Sequence, residues 1–291
     1  MERVVNYNKL IYIFFMLFLS STLFSKTVFT YYDNGERNES ASYYELELLK
    51  LSLEKTKDKY GDFELVKSPK MNKKRAILTL RSNSLENFIV KISTTKELMK
   101  EFAYINFPID RGVIGYRVAF VSPKLQKRIK EYDTFEKLKK LKVVQGRGWL
   151  DTDILKYHGF DVYATNSKEN AFSILSLNRA DLFLRGISEV FDEYQSFHYI
   201  KNLDFDKTFM FYYPLPRFFY TNKSNKKALE RVKEGIFLAY KDGSLDKLFN
   251  KYYQKNIDFL NIKDRKIYKI ENPFLRGLDT SYEKYIFNPL K

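Results

Sequence analysis

The sequence of 291 residues contains no cysteine, one tryptophan and two histidines. Without cysteine the chain forms no disulfide, no thiolate metal site and no lipoprotein anchor, since that anchor needs a cysteine at the cleavage site. His158 and His198 are far apart, and no spacing of acidic residues and histidines is typical of a metal site. Nucleophile-elbow and phosphate-loop motifs are also absent. We therefore expect no metal, no cofactor and no catalytic residue.

Long apolar runs are absent except near the N-terminus. Residues 10–19 (LIYIFFMLFL) follow the basic Arg3 and Lys9 and precede small residues that end at Ser25. This order is typical of a cleavable signal peptide, predicted here over residues 1–25. The run is shorter than a bilayer span, which takes about 20 residues, and an uncleaved anchor is the alternative. We expect export to the periplasm without a lipid anchor.

Acidic residues are in the minority, with 36 Asp and Glu against 51 Lys and Arg, which gives a formal charge of +15. Such a balance suits nucleic acid, an anionic membrane or an acidic small molecule. The basic residues are spread along the chain, and the densest runs, 70–75 and 137–142, fall on predicted helices or at the start of a strand. Solvated faces explain these runs, and export argues against nucleic acid, so we expect no nucleic-acid partner.

Periodicity predicts alternating strands and helices, and hence an α/β fold. Predicted strands cover residues 26–32, 63–66, 88–92, 113–121, 142–145, 161–164, 180–184 and 210–221. Predicted helices cover residues 42–59, 69–80, 123–130, 134–139, 151–158, 167–178, 188–197, 224–241 and 244–254. Two long strands, 113–121 and 210–221, bracket the second group of elements, which is the layout of one lobe inserted into another.

The stretch 143–151 (VVQGRGWLD) is the most informative motif, because a β-branched run stops at two glycines and a helix follows. A strand that leads into a helix through such a turn presents free backbone N–H groups and a positive helix end, which together bind anions. Arg147, Gly148 and Trp149 form this turn. The sequence therefore predicts a small-molecule site here, with a charge and an aromatic face beside it.

Several short stretches, in their order along the chain, carry a resemblance to a known group. They are a helix with Arg75, residues 94–97 (TTKE), Phe107-Pro108, a strand over 115–121, residues 143–148, residues 178–181 (NRAD) and residues 239–245 (AYKDGSL). In these the chain resembles a divergent bacterial extracellular solute-binding protein of family 3, the receptors of amino-acid ABC importers. The resemblance covers nearly all residues after the predicted signal peptide.

The resemblance implies a type II periplasmic-binding-protein-like fold, a clamp of two lobes that are each built on a mixed or parallel sheet flanked by helices. The larger lobe would comprise residues 26–115 with 216–291, and the smaller inserted lobe residues 116–215. A small polar solute would bind between the lobes, and hinge closure would bury it. An inner-membrane ABC permease would then receive the solute. We expect a monomer that is not an enzyme.

Candidate ligand-binding residues lie mainly where predicted strands end, because ligands of α/β sheets bind beyond the carboxyl ends of strands. These candidates are Tyr31, Tyr32, Asp33, Arg81, Thr94, Arg147, Gly148, Trp149, Arg185 and Glu189. Arg111 and Arg117 flank a crossing strand and are predicted as hinge or surface charges.

Two departures from the family bear on the solute. Lys96-Glu97 stands where amino-acid-binding members usually carry an Arg that grips the α-carboxylate, and Arg185 stands where they carry an Asp for the ammonium. Arg185 and Arg147 together favour an anionic solute. The alternative for Arg185 is an ion pair with Glu189 or Glu193.

Two other functions stay open from the sequence. Some proteins of this fold are dehydratases of cyclohexadienyl or prephenate-type substrates, for which Glu189 is the nearest candidate general acid, although a charge at a helix start explains Glu189 better. A sensor that presents its bound state to a separate membrane receptor is the other alternative. The tail after residue 257 has no clear period, and Tyr282, Tyr285 and Phe287 are expected to dock it on the larger lobe.

Overall fold

The computed structural model describes residues 26–35 and 40–290, so the predicted signal peptide (1–25) lies outside the described residues. The strands of this part are β1 Thr27–Tyr31, β2 Phe63–Lys67, β3 Val90–Ser93, β4 Ala103–Tyr104, β5 Tyr116–Val121, β6 Lys142–Gly146, β7 Asp161–Thr165, β8 Leu182–Gly186, β9 Asp204–Phe205, β10 Phe209–Tyr212, β11 Arg217–Thr221 and β12 Lys266–Lys269. Its α-helices are α1 Ser40–Glu54, α2 Lys57–Tyr60, α3 Lys73–Ser82, α4 Lys96–Glu101, α5 Pro123–Gln126, α6 Phe135–Leu138, α7 Leu150–Tyr157, α8 Lys168–Ser176, α9 Val190–Ser196, α10 Lys226–Lys241 and α11 Ser244–Phe259. Within these two ranges, no helix combines the length and apolarity that a bilayer crossing needs.

Two small sheets form the lobe that contains the first third of the chain. β1 and β2 pair in parallel, whereas β3, β11 and β4 form an antiparallel sheet with β11 in the centre. Helix α1 packs on α10 and α11, and its Tyr44, Leu48 and Leu53 are fully buried. This part corresponds to the larger lobe of the predicted division and keeps that name.

A seven-stranded mixed sheet forms the smaller lobe, in the order β12-β10-β5-β8-β6-β7 with β9 beside β5. β6 is parallel to β7 and β8, while β5 is antiparallel to β8 and β10. Leu125 and Ile154 belong to the core on one face of this sheet, and Phe172 and Val190 to the core on the other. Both lobes are therefore α/β, and the predicted fold class is confirmed.

Two of the predicted elements are corrected. The strand predicted over 210–221, with its interruption by prolines, is in fact two strands, because β10 and β11 lie in different sheets. Pro214 and Pro216 stand between them and offer no N–H to a continuing ladder. The helix predicted to open at Pro69 begins at Lys73, where the Asn72 side chain accepts the N–H of Arg75 at 2.9 Å.

Residues 260–290, here called the C-terminal strap, contact both lobes. β12 pairs with β10 in the smaller-lobe sheet, and the Tyr268 hydroxyl donates to the Asp133 carbonyl at 2.7 Å. Tyr282 is buried against Phe218 of the larger lobe, which agrees with the expected docking of the tail. The predicted division of the lobes stays a prediction, although β12 shares its sheet with strands of the smaller lobe. The strap therefore crosses between the lobes twice.

Candidate functional site

The ends of four strands of the smaller-lobe sheet meet at one edge. β6 and β8 run parallel and end at Gly146 and Gly186. β5 runs in the opposite direction, so Arg117 near its start pairs with Gly186, and Tyr213 follows the end of β10. Open α/β sheets bind ligands in the crevice beyond such carboxyl ends. The side chains at this edge are therefore the first candidates for a binding site.

Arg185, a predicted ligand residue at the end of β8, is buried and paired within its own lobe. Its Nε and Nη2 donate to the Glu193 carboxylate at 2.6–2.9 Å, and Nη2 lies 3.1 Å from Glu189 Oε2. The guanidinium lies 4.7 Å from the centre of the Trp149 ring. Burial opposes its charge, but the two carboxylates raise the pKa of Arg185. The ion-pair alternative for Arg185 is thus confirmed, and its charge is neutralised inside the protein.

Glu189 connects arginines of the two lobes. Its Oε2 lies 3.7 Å from Arg117, and its Oε1 lies 3.7 Å from Arg217 of the larger lobe. Burial raises the pKa of Glu189, but Arg185, Arg217 and Arg117 outweigh that effect and lower it to about 2. Glu189 is therefore a carboxylate at neutral pH. It does not meet the requirement of the dehydratase alternative for a protonated general acid.

Arg117 forms a second buried ion pair, with Asp151 in the first turn of α7. The Tyr213 hydroxyl donates to Asp151 Oδ1 at 2.7 Å, and burial raises the pKa of Tyr213 well above its usual range. Arg117 was predicted as a hinge or surface charge; the surface alternative is wrong, since Arg117 is 1% exposed, and the hinge alternative stays a prediction. Arg111 is also buried, and its guanidinium pairs with Asp246.

The larger lobe contributes Asp110 and Arg217 to the same region. Arg217 Nε lies 3.5 Å from Asp110 Oδ2. Neither carboxylate oxygen of Asp110, both of them buried, has a described hydrogen-bond donor in good geometry. Burial raises the pKa of Asp110, and Arg217 and the nearby N–H of Gly112 offset this only in part. We refer to the whole set as the interlobe charge cluster, which comprises Asp110, Arg117, Asp151, Arg185, Glu189, Glu193 and Arg217.

The glycine turn lies at the edge of this cluster. A Cβ on Gly146 would stand 2.2 Å from Trp149 Cε2, so only glycine lets the indole ring lie against the strand end. The N–H groups of Arg147 and Trp149 donate to backbone carbonyls of the smaller lobe, which removes two of the donors expected to hold an anion. The exposed Arg147 side chain has no hydrogen bond or ion pair within 26–35 and 40–290. The positive charge of Arg147 is therefore available to a solute at this turn.

The candidates from the first strand lie on the larger lobe near this turn. The Tyr32 hydroxyl donates to the Met71 carbonyl at 3.0 Å, and Asp33 pairs with Lys67 at 3.0 Å. Tyr31 packs against the main core. The next helix brings Lys74 Cε to 4.0 Å from the position of a Cβ on Gly148, so the two lobes approach each other here.

Two further candidates differ in their placement. Thr94 is buried and accepts the Tyr220 hydroxyl at 3.1 Å, and its N–H donates to Pro216, the neighbour of Arg217. Arg81 lies on the exposed end of α3, where it pairs with Glu101. The structure therefore brings Thr94 near the cluster but not Arg81.

Sequence reasoning did not single out Asp110, Asp151 or Arg217. Asp110 and Arg217 lie in or next to the connections between the lobes, where no periodic pattern marks them. One signal was present for Arg217, since a lone charge opens the otherwise apolar and aromatic strand RFFYT. In the described residues, no group of three or more His, Asp or Glu side chains is arranged to hold a metal ion.

No protein-family model matches the chain, and no curated protein matches it. Solved structures match it in fold. An ancestral arginine-binding protein bound to arginine is 17% identical with a TM-score of 0.58, over 78% of this chain and 99% of that one. The probable amino-acid ABC transporter extracellular-binding protein YtmK of Bacillus subtilis is 15% identical with a TM-score of 0.58, over 78% and 98%.

A third solved structure adds an enzyme lineage to the comparison. The ancestral amino acid-binding protein AncCDT-1, a precursor of cyclohexadienyl dehydratase, is 18% identical with a TM-score of 0.55, over 78% of this chain and 95% of that one. At these identities the likeness establishes the fold. The chain thus has the two-lobed fold of periplasmic binding proteins, as the resemblance in its sequence predicts.

Proposed function

We propose that this protein is a periplasmic receptor that captures a small polar solute between its two lobes and delivers it to an inner-membrane ABC permease. The observation that carries the proposal is the interlobe charge cluster, because its members come from both lobes and meet at the carboxyl edge of the smaller-lobe sheet. The printed descriptions of the solved neighbours, an arginine-binding protein and a probable ABC transporter binding protein among them, support the same role.

Closure of the lobes would supply the signal to the permease. Contacts between Arg217 and Glu189 exist only when the lobes are together, because each lobe provides one of these residues. A solute that contacts both lobes binds the closed state better than the open one, and so shifts the population toward closure. The permease would then distinguish loaded from empty protein by shape.

We propose that the solute is anionic. Of the two arginines that were expected to contact it, Arg147 and Arg185, one is already paired within the protein. Arg185 is neutralised by Glu189 and Glu193. Arg147 remains exposed in the smaller lobe, and Lys74 lies opposite it on the larger lobe. A negatively charged group at the mouth of the cleft would lie between these two cations, where opposite charge is favourable and only partly screened.

We propose no catalytic role. The dehydratase alternative needs a proton donor in the cleft, and Glu189 is ionised by its three arginine neighbours. A sensor role would use the same capture of a solute and would differ only in the membrane partner. Co-purification of the protein with a permease or with a sensor distinguishes these two.

Native mass spectrometry of gently purified residues 26–291 tests the proposal, with a thermal-shift screen of amino acids, carboxylates, phosphates and sugars beside it. A solute that co-purifies, or that raises the melting temperature, is the expected result. Folded protein that carries no small mass and gains no stability from any compound class would contradict the receptor function.

A further inference from the structure

Arg217 differs from Arg185 of the interlobe charge cluster in what it binds. Arg185 donates three hydrogen bonds to Glu193, whereas the Arg217 guanidinium makes none with any described residue. Its contacts are two ion pairs, at 3.5 Å to Asp110 and 3.7 Å to Glu189, which are too long for hydrogen bonds. A guanidinium has five N–H donors in a fixed fork, so most of the binding capacity of Arg217 is unused.

Arg217 is also the cluster arginine that a solute can reach. Its side chain is 19% exposed, against 2% for Arg117 and 6% for Arg185. β11 fixes its position, since Arg217 pairs with Ser93 at the end of β3 in the antiparallel register. The carbonyl of the preceding Pro216 accepts the N–H of Thr94 at 2.9 Å. The guanidinium therefore projects from a rigid part of the larger lobe toward the smaller lobe.

Asp110 adds an unused acceptor next to this unused donor. Its side chain is 3% exposed, and neither oxygen has a described hydrogen-bond donor in good geometry; burial raises the pKa of Asp110, and the N–H of Gly112 is close enough only to offset this in part. Buried polar atoms are nearly always hydrogen-bonded, so an acceptor of this kind points to a partner that the protein itself does not provide.

We propose that Arg217 binds an oxyanion of the solute, a carboxylate or a phosphate, through its guanidinium fork, and that Asp110 accepts a hydrogen bond from a donor on the same solute. The inference rests on the proposed function and names the residues that select the solute. Arginine suits this task because its fork matches two oxygens at once.

Glu189 does not block this site. The solute oxyanion would compete with Glu189 for Arg217, but Glu189 keeps Arg185 at 3.1 Å and Arg117 at 3.7 Å as partners. Glu189 also accepts the N–H of Gly186 at 3.0 Å. Displacing Glu189 from Arg217 therefore leaves no unpaired buried carboxylate, which would otherwise cost several kcal/mol.

Thermal-shift and calorimetric titrations of residues 26–291 test the assignment. The probes are L-arginine, L-glutamate, succinate, agmatine (an amine without a carboxylate) and inorganic phosphate. Wild type, Arg217→Lys, Arg217→Gln and Asp110→Asn are compared with Arg81→Lys, a control at an exposed ion pair away from the cluster. Circular dichroism confirms that each variant is folded.

We expect wild type to bind at least one oxyanion-bearing probe and not agmatine. Arg217→Lys keeps the charge but loses the fork, and should weaken this binding by about tenfold or more, while Arg217→Gln should abolish it. Asp110→Asn should weaken the probes that carry an amine and spare succinate and phosphate. Arg81→Lys should leave every affinity unchanged. Whether phosphate or the carboxylates bind shows which oxyanion the fork takes.

Failure of the receptor function and failure of the Arg217 assignment give different results. If no probe and no compound of the wider screen binds wild type, the receptor function fails and this inference fails with it. If wild type binds a carboxylate or phosphate and Arg217→Gln binds it equally well, the receptor function stands and the assignment of Arg217 is wrong. Binding of agmatine alone would likewise overturn the oxyanion role.

Discussion

Arg185 and Glu193 form a buried bidentate ion pair, with both carboxylate oxygens within 2.6–2.9 Å of the guanidinium nitrogens. The pair joins the end of β8 to the first turn of α9. A charge in this position is stable only while its partner remains, because the interior offers little solvation. The pair therefore serves the stability of the smaller lobe more than the capture of a solute.

Glu193→Ala should lower the free energy of unfolding by about 3 kcal/mol, because it leaves the buried Arg185 with Glu189 as its remaining partner. Urea denaturation followed by circular dichroism measures this change. The control is Glu131→Ala, which breaks the exposed pair with Arg128 and should leave stability nearly unchanged. Equal losses of unfolding free energy from the two substitutions would show that the buried pair contributes no more to stability than the exposed one.

The lowered pKa of Glu189 predicts how the free energy of unfolding depends on pH. Its pKa in the folded protein is about 2, below the value of 4.5 for the free side chain. Ionised Glu189 therefore stabilises the fold above about pH 4.5, and this stabilisation is lost as the pH falls toward 2. Glu189→Gln should flatten the fall in unfolding free energy over that range. Urea denaturation at several pH values measures this fall in wild type and in the variant. The same fall in both proteins would contradict the ionised state of Glu189.

Trp149 is the one tryptophan of the chain, so intrinsic fluorescence reports on the cleft edge. Its ring lies between the Arg185 guanidinium and the glycine strand end. A solute that closes the lobes should change the emission, and Trp149→Phe should remove that signal without abolishing binding measured by calorimetry. Gly146→Ala should displace the ring and alter the emission before any solute is added. Emission that is insensitive to a solute proven to bind would place the solute elsewhere.

The C-terminal strap should limit the opening of the lobes. Arg276 of the strap donates to the Tyr157 hydroxyl on the smaller lobe at 2.7 Å, and Asn106 of the larger lobe donates to Asp279 at 2.8 Å. Truncation of the chain after Gly277, or Tyr282→Ala, should free the larger-lobe end of the strap. Small-angle scattering should then show a larger radius of gyration without solute. Tyr282→Phe, which keeps the packing, should behave like wild type.

The elements that sequence patterns predicted best are those with a strong local signal. The β-branched run before Gly146 and the periodic helix at 226–241 are both present. Pro214 and Pro216 were visible in the sequence, yet the change of sheet between them depends on long-range pairing. β12 was not predicted, because its four residues, KIYK, gain their strand conformation by pairing with β10.

Only the part of the candidate site that has a local signal in the sequence was predicted. Arg185 and Trp149 follow strand ends, so the general rule for α/β sheets found them. Asp110 and Arg217 lie at the connections of the larger lobe and approach the site through tertiary contacts alone. Whether Arg185 faces a solute or a carboxylate depends on Glu193, one helical turn into α9, which only the folded backbone brings within 2.6 Å.

A solute that binds between the lobes should close them. The absence of cysteine allows two labels to be placed without background, at Leu78→Cys in the larger lobe and Asn170→Cys in the smaller lobe, both exposed positions. Electron paramagnetic resonance then measures the distance between spin labels, with and without the solute that the screen identifies. We expect a shorter and narrower distance distribution with solute. A solute that binds while the distribution stays unchanged would contradict capture between the lobes.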